Sequence, residues 1–429
     1  MLYLSQKGKP KLRSKTFKIF QAGPQTIVPS QLQLNLVFTS SGASSEAGSL
    51  DLSLTVEPAT IGFLIMRASF LAKCLSLTLL TNGLAAPAQQ SKPGDIAVTP
   101  VLTGGEVVMG AGTYPRANFL KDGSILGVYT AFDNGNTVIR TVKSTDNGAS
   151  WTALGSVSQG PTNANDIDNP YVLQLPSGRV LCAYRNHSKD PSSGAYTYFR
   201  ITVSASNDNG ATWKYLSQPA SDPGPMTGSW EPFLRNANDG SLQIYYSREN
   251  AANDQDSLER FSTDGGATWS AASTISGAGI TSRDGMTGVT TIAGNRLICV
   301  FESETTGVFS IHSITSEDDG KTWGNRQTVY TTSNPNTSAG APQVINVGGI
   351  LAVTFITNED SGVTSPSPGY TNNVGVKLVT SGDGGATWGN KITVGQVQSI
   401  WAGVLALDQN SFLVVMDHGG AKAQKVTLN

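Results

Sequence analysis

The 429-residue chain is poor in several things, and each shortage narrows what it can be. Only three cysteines are present, Cys74, Cys182 and Cys299, which is no basis for a disulfide framework or a cysteine-based metal site. The three histidines, His187, His312 and His418, lie far apart without ligand spacing, so neither a metal nor any other cofactor is called for. Charge is scarce as well: charged residues make up 14%, the formal net charge is −2, and no basic run occurs beyond Lys7–Lys18. Neither a nucleic-acid backbone nor an anionic membrane is an implied partner. The apolar run Cys74–Leu80 is too short to span a bilayer. What is plentiful is glycine, threonine, serine and asparagine, with seven tryptophans, a mixture that suits a β-rich domain large enough to bury a sizeable core.

Five copies of one pattern punctuate this composition: Ser144-Thr-Asp146-Asn-Gly148-Ala-Ser-Trp151, then the equivalents ending at Trp213, Trp269, Trp323 and Trp388. These are Asp-boxes. Their aspartates, Asp146, Asp208, Asp264, Asp318 and Asp383, are 62, 56, 54 and 65 residues apart, one four-stranded blade per copy. The Asp accepts hydrogen bonds within its own turn, the Gly takes a conformation that a Cβ would forbid, and the Trp fills the gap between blades. The box is therefore structural.

Ahead of each box stand two apolar runs joined by a tight polar turn, as in Lys121-Asp-Gly-Ser124, and this hairpin occurs six times, the last around Asp408-Gln-Asn-Ser411. Six hairpins against five boxes predict an all-β, six-bladed β-propeller whose last blade is split. Inner strands near Val404–Leu407 and Phe412–Met416, a third near Ala423–Leu428 and an outer strand from Ile96–Val108 would close the ring. The catalytic domain is expected at 95–429. Cys182 and Cys299 fall on second strands, where they read as small buried apolar residues.

The first 95 residues read differently. Met66-Arg-Ala-Ser-Phe-Leu-Ala-Lys73, the apolar run after it and Ala86-Pro-Ala88 have the basic start, short apolar core and cleavage site of a secretory signal over 66–88. Met66 then reads as the true start and 1–65 as a gene-model extension without a fold. A secreted, extracellular protein, a monomer with no membrane attachment after cleavage, is the expectation. The triplets Asn186-His-Ser188 and Asn336-Thr-Ser338 fit it.

In a propeller, residues entering the innermost strands and leaving the second strands share one face, opposite the boxes. That set is crowded with carboxylates, arginines and aromatics, as a sugar site would be. Glycoside hydrolysis uses two carboxyl groups flanking the scissile bond. Glu231 and Glu302 are the expected catalytic pair, because each stands at a strand end among apolar neighbours (Trp230-Glu231-Pro232-Phe233 and Cys299-Val-Phe-Glu302) in adjacent blades. Arg116, Asp168, Tyr184, Trp230, Arg248, Arg283 and Trp401 are the expected substrate-binding residues, placed there by strand-end position.

The segments Thr113-Tyr-Pro-Arg116-Ala-Asn, Trp230-Glu231-Pro-Phe-Leu, Arg283-Asp-Gly-Met286 and Val300-Phe-Glu302-Ser-Glu304 resemble the secreted fungal exo-arabinanases of glycoside hydrolase family 93, within the sialidase-like superfamily, over about residues 100–429. The resemblance implies retaining exo-attack on α-1,5-linked L-arabinan with release of a short arabino-oligosaccharide, Glu231 matching the nucleophile and Glu302 the acid/base. Two alternatives stay open. A sialidase shares boxes and disc, but this chain reads Tyr-Pro-Arg where that family has Phe/Tyr-Arg-Ile-Pro, and no tyrosine follows Tyr370. A non-catalytic propeller could bind glycan or protein through the same face.

Overall fold

The computed structural model describes residues 98–225, 228–305, 307–362 and 371–429, plus two short paired strands, Thr16–Phe17 and Leu34–Asn35. The chain divides into two compact units, Met1–Gln90 and Ser91–Asn429. The expected leader, the start at Met66 and the extension before it lie outside the described residues, the backbone of those two strands apart.

The second unit is six four-stranded sheets. Each is an antiparallel meander, and the innermost strands are Thr113–Phe119, Asn165–Gln174, Ser229–Asn236, Gly285–Ala293, Ala339–Val347 and Ile400–Ala406 for blades I to VI. Blade VI takes Ile400–Ala406, Ser411–Asp417 and Ala421–Leu428 from the end of the chain and its outermost strand, Pro100–Gly110, from the start of the unit. The closure pairs Leu428↔Pro100 through Ala421↔Gly110, with register shifts between Lys425 and Ala423 and between Lys422 and Ala421, and is sealed by Thr99 N–H to the Asn429 carbonyl (2.8 Å) and the reciprocal bond (3.1 Å). The split sixth blade is as expected.

Five inter-blade seams each receive one box tryptophan. Trp151 packs with Ile125 and Leu413 between blades VI and I, Trp213 between I and II, Trp269 between II and III, Trp323 between III and IV, and Trp388 between IV and V. The seam between V and VI has no box behind it. It is filled by Phe412, Met416, Val394 and the chain's own Val98. Each box glycine backs onto the preceding blade: a Cβ on Gly148 would lie 2.5 Å from Leu413 Cδ1, and Gly148 holds φ +86°. Asp208 shows the rest of the device. It accepts from Thr212 Oγ1 (2.5 Å), Thr212 N–H (2.9 Å) and Ser206 Oγ (2.7 Å), and these bonds hold its carboxyl at about 2. A carboxylate so engaged, on the solvent side of the turn, is a turn-former.

The innermost strands share a second repeat that positions the site. In every blade two residues of the innermost strand oppose one of the second strand, a β-bulge, and the first of the two is left-handed: Tyr114 (φ 51°), Asn169 (52°), Glu231 (45°), Met286 (55°), Ala341 (48°) and Trp401 (58°). The residue opposite the bulge is large and buried, namely Tyr129, Tyr184, Tyr246, Phe301, Phe355 and Met416. Four bulges have proline second, Pro115, Pro170, Pro232 and Pro342, where the interrupted ladder asks for no N–H donor.

Candidate active site

The bulges bring their left-handed residues toward the axis. Tyr114, Met286 and Ala341 are buried in one apolar cluster against which Trp401 packs, and the Tyr114 and Trp401 rings stand 5.8 Å apart. One step beyond each large buried residue the second strand supplies another set, Thr130, Arg185, Ser247, Glu302, Ile356 and Asp417. Alternation along a strand turns this set the opposite way from its large neighbours. Glu231 belongs to the first set and Glu302 to the second.

Glu231 is partly exposed, and a non-glycine residue in this conformation stores on the order of 1–3 kcal/mol of strain. Its carboxyl is raised from the ordinary 4.5 to about 8, first by burial, then by the charge of Glu302, while Arg185 and a hydrogen bond from Ser247 act to lower it. Glu302 is 6% exposed, and its Oε2 accepts the N–H of Ala341, the bulge residue of blade V, at 2.7 Å. Raised to about 8, the Glu231 carboxyl keeps its proton at neutral pH, so the two carboxyl groups together carry one proton there.

Arg185 organises the neighbouring blade. It donates to Asp166 Oδ1 (3.0 Å) and Asp168 Oδ2 (3.1 Å), and its guanidinium lies 5.3 Å from the centroid of the Trp230 ring. Asp168 also accepts Thr130 Oγ1 (2.6 Å) and the N–H of Asn169 (2.7 Å), and Asp166 accepts the Tyr196 hydroxyl (2.7 Å). Below Trp230 lies His187, fully buried, with Nε2 2.8 Å from the Ser229 carbonyl and its ring centroid 4.8 Å from the indole. Burial and the Arg185 charge lower His187 to about 4, so it is neutral at ordinary pH.

Among the expected site residues, Glu231, Glu302, Arg116, Asp168, Trp230 and Trp401 fall in this connected set. Arg116 is buried over the Tyr114 ring at 4.1 Å and donates to the carbonyls of Pro115 (2.8 Å) and Trp401 (2.9 Å). Arg283 stands at the margin, bonded to Glu249 Oε1 (2.7 Å) and Gln255 Oε1 (3.1 Å). Arg248 follows Ser247 and so takes the opposite face of its strand. Tyr184 is placed elsewhere. It is the residue opposite the blade II bulge, 3% exposed in the seam between blades I and II, with its hydroxyl 3.1 Å from Ser204 Oγ. Arg185, Ser247 and Tyr114 complete the site and were not among the expected binding residues. For Arg185 the sequence carried a marker of position, the aromatic residue that recurs at one place on five of the six second strands and stands just before it.

Cys182 and Cys299 are free and buried, as expected. Among the described residues no group of three or more His, Cys, Asp or Glu is arranged to hold a metal ion.

Comparison with known proteins agrees with this fold. The BNR repeat-like domain matches residues 121–307. An α-L-arabinanase of Penicillium chrysogenum, solved with arabinobiose, superposes with a TM-score of 0.58 at 19% identity, covering 77% of this chain and 98% of that one. The GH93 α-L-arabinofuranosidase of Fusarium graminearum, also with arabinobiose, gives 0.56 at 21% identity over 76% and 98%. A Dyadobacter fermentans protein of unknown function gives 0.60 at 15% identity over 77% and 100%. No curated protein matches the chain. The chain is thus a six-bladed propeller that matches the BNR repeat-like domain over residues 121–307 and whose fold resembles that of the Penicillium α-L-arabinanase and the Fusarium GH93 α-L-arabinofuranosidase.

Proposed function

We propose that the chain is a secreted, monomeric, retaining glycoside hydrolase that attacks α-1,5-linked L-arabinan from a chain end and releases a short arabino-oligosaccharide. The observation that carries this reading is the placing of two carboxyl groups in adjacent blades, Glu231 on the innermost strand of blade III and Glu302 on the second strand of blade IV, near enough for the charge of Glu302 to raise Glu231. A retaining hydrolase needs one carboxyl protonated to assist the leaving oxygen and one ionised to attack the anomeric carbon. The resemblance in sequence gives the attacking role to Glu231 and the proton-carrying role to Glu302, so the proton that Glu231 keeps at neutral pH must pass to Glu302 before attack. Attack breaks the glycosidic C–O bond while the acid gives its proton to the departing oxygen. Water, deprotonated by the same residue, then releases the sugar from Glu231.

The surrounding charges support a neutral sugar. Arg185 is neutralised by Asp166 and Asp168, Arg283 is paired with Glu249, and Arg116 is buried, with Nη1 donating to two backbone carbonyls. A sialoside would need arginines left over for its carboxylate. The polar rim of Asp168 and Tyr196 and the Trp230 and Trp401 rings suit hydroxyl groups and sugar faces instead.

Azide tests the roles. With an arabinoside carrying a good leaving group, Glu302→Ala should regain turnover in azide and give a glycosyl azide of retained configuration, and Glu231→Ala should give the inverted azide. The reverse pattern would exchange the roles. No cleavage of arabinan or arabinoside by the parent protein, with arabinan still bound, would make the face a binding site.

A further inference from the structure

Both carboxyl groups are tied to the left-handed bulge of the next blade, but by different means. Glu302 of blade IV takes the Ala341 N–H of blade V directly at 2.7 Å. Glu231 of blade III has an intermediary. The Met286 N–H of blade IV donates to Ser247 Oγ at 3.0 Å, and Ser247 hydrogen-bonds the Glu231 carboxyl. Ser247 is fully buried and stands opposite Trp230 in the ladder, one residue short of Glu231. It occupies in blade III the place that Arg185 holds in blade II and Glu302 in blade IV. A Cβ on Gly285, the residue before the Met286 bulge, would come within 3.0 Å of Ser247 Oγ and 2.1 Å of Gln255 Nε2, so the absence of a side chain there makes room for the relay.

We infer that Ser247 is a positioning residue for Glu231, a hydroxyl fixed by the Met286 amide so that it meets the carboxyl in both of its protonation states. A backbone N–H can only donate. A hydroxyl that already accepts one N–H keeps a proton to give to a carboxylate and a second lone pair to take the proton of a carboxylic acid. Glu231 is thus held in one place while its charge changes, which a residue alternating between attacking group, covalent ester and leaving group requires. The charged groups near Glu231, which are Arg185 with its two aspartates, Glu249 with Arg283, and Glu302, supply charge rather than this adaptable contact, and the Tyr114 phenol is kept neutral by burial.

The inference rests on the proposed hydrolase for its kinetic consequence only, and its test has a part independent of activity. In the full-length protein, Ser247→Ala should shift the inflection that Glu231 imposes on unfolding stability against pH upward by roughly half a unit or more, since a hydrogen bond to the charged form is removed. The same change made in Glu231→Gln should leave the profile where it is. If arabinan is cleaved, Ser247→Ala should lower kcat roughly 10- to 100-fold with KM changed less than about threefold, and move the alkaline limb the same way. Ser247→Cys, which keeps a weak donor and acceptor, should recover part of both and serves if the alanine variant does not fold. An inflection unmoved by Ser247→Ala or Ser247→Cys, or a shift equally large in the Glu231→Gln background, would overturn the assignment whether or not the protein is a hydrolase.

Discussion

Replacing Glu231 by Gln should make the propeller more stable in mildly alkaline solution and leave it nearly unchanged in acid. In the native state burial and the Glu302 charge keep the Glu231 proton on until about pH 8, whereas an unfolded chain loses it near 4.5. Between those values unfolding releases a proton, so stability is complete below about 4.5 and falls as pH rises toward 8. The loss runs at about 1.4 kcal/mol per pH unit, about 5 kcal/mol over the interval, as an upper bound. Partial exposure of Glu231 to solvent screens the interaction and reduces the expected total to about 2–4 kcal/mol. Glutamine keeps the shape and cannot ionise, so the variant lacks this term and other titrating groups cancel in the comparison. Urea unfolding of both proteins at half-unit steps from pH 4.5 to 9 gives the difference directly. A gap that opens steadily above pH 5 and levels off near pH 8 is expected. Parallel curves would mean that Glu231 is ionised like a surface carboxylate and that the two carboxyl groups share no proton.

The architecture makes further commitments. Gly148→Ala should destabilise by about 2–4 kcal/mol, since the Cβ meets Leu413 at 2.5 Å in a conformation that alanine resists, and thermal unfolding reads the loss. Removing Val98–Gly110 takes away the outer strand of blade VI and the filler of the V–VI seam. Such a truncation should abolish the single cooperative transition seen in calorimetry. Tyr184→Phe should cost about 1 kcal/mol or less of stability and leave arabinan turnover within twofold, whereas Arg185→Met should cut kcat/KM at least tenfold by releasing Asp166, Asp168 and Trp230. The value of kcat/KM, where turnover is present, should fall above about pH 8 as the pair loses its last proton, measured as initial rates at arabinan well below KM.

The fold was legible because its repeats are written in residue types with one physical use each. Asp, Gly and Trp at fixed spacing announce a turn, a close approach and a seam, and the sixth hairpin without a box announces the split blade. The site was legible in part. Glu231 and Glu302 stood out as carboxyl groups beside apolar strands, but strand-end position mixes two faces, and this is why Tyr184 was grouped with Asp168 and Trp230. Proline hid the reason. In sequence a proline suggests the edge of a strand, yet Pro115 and Pro232 stand inside Thr113–Phe119 and Ser229–Asn236. The bulge lies inside the strand, and register alone tells which residues turn to the axis and which to the seam. Ser247 carried no signal by itself, since a serine in a strand is ordinary. Its place in the ring beside Arg185 and Glu302 appears only when the blades are superimposed on one another.

The most direct test of the account is hydrolysis of linear α-1,5-arabinan by the propeller unit, with the configuration of the first-formed product read by NMR and with Glu231→Ala and Glu302→Ala as controls. Release of a short arabino-oligosaccharide with retained configuration, lost in both variants, is the predicted result. Cleavage that survives both substitutions, or release of sialic acid from a sialoside in its place, would contradict it.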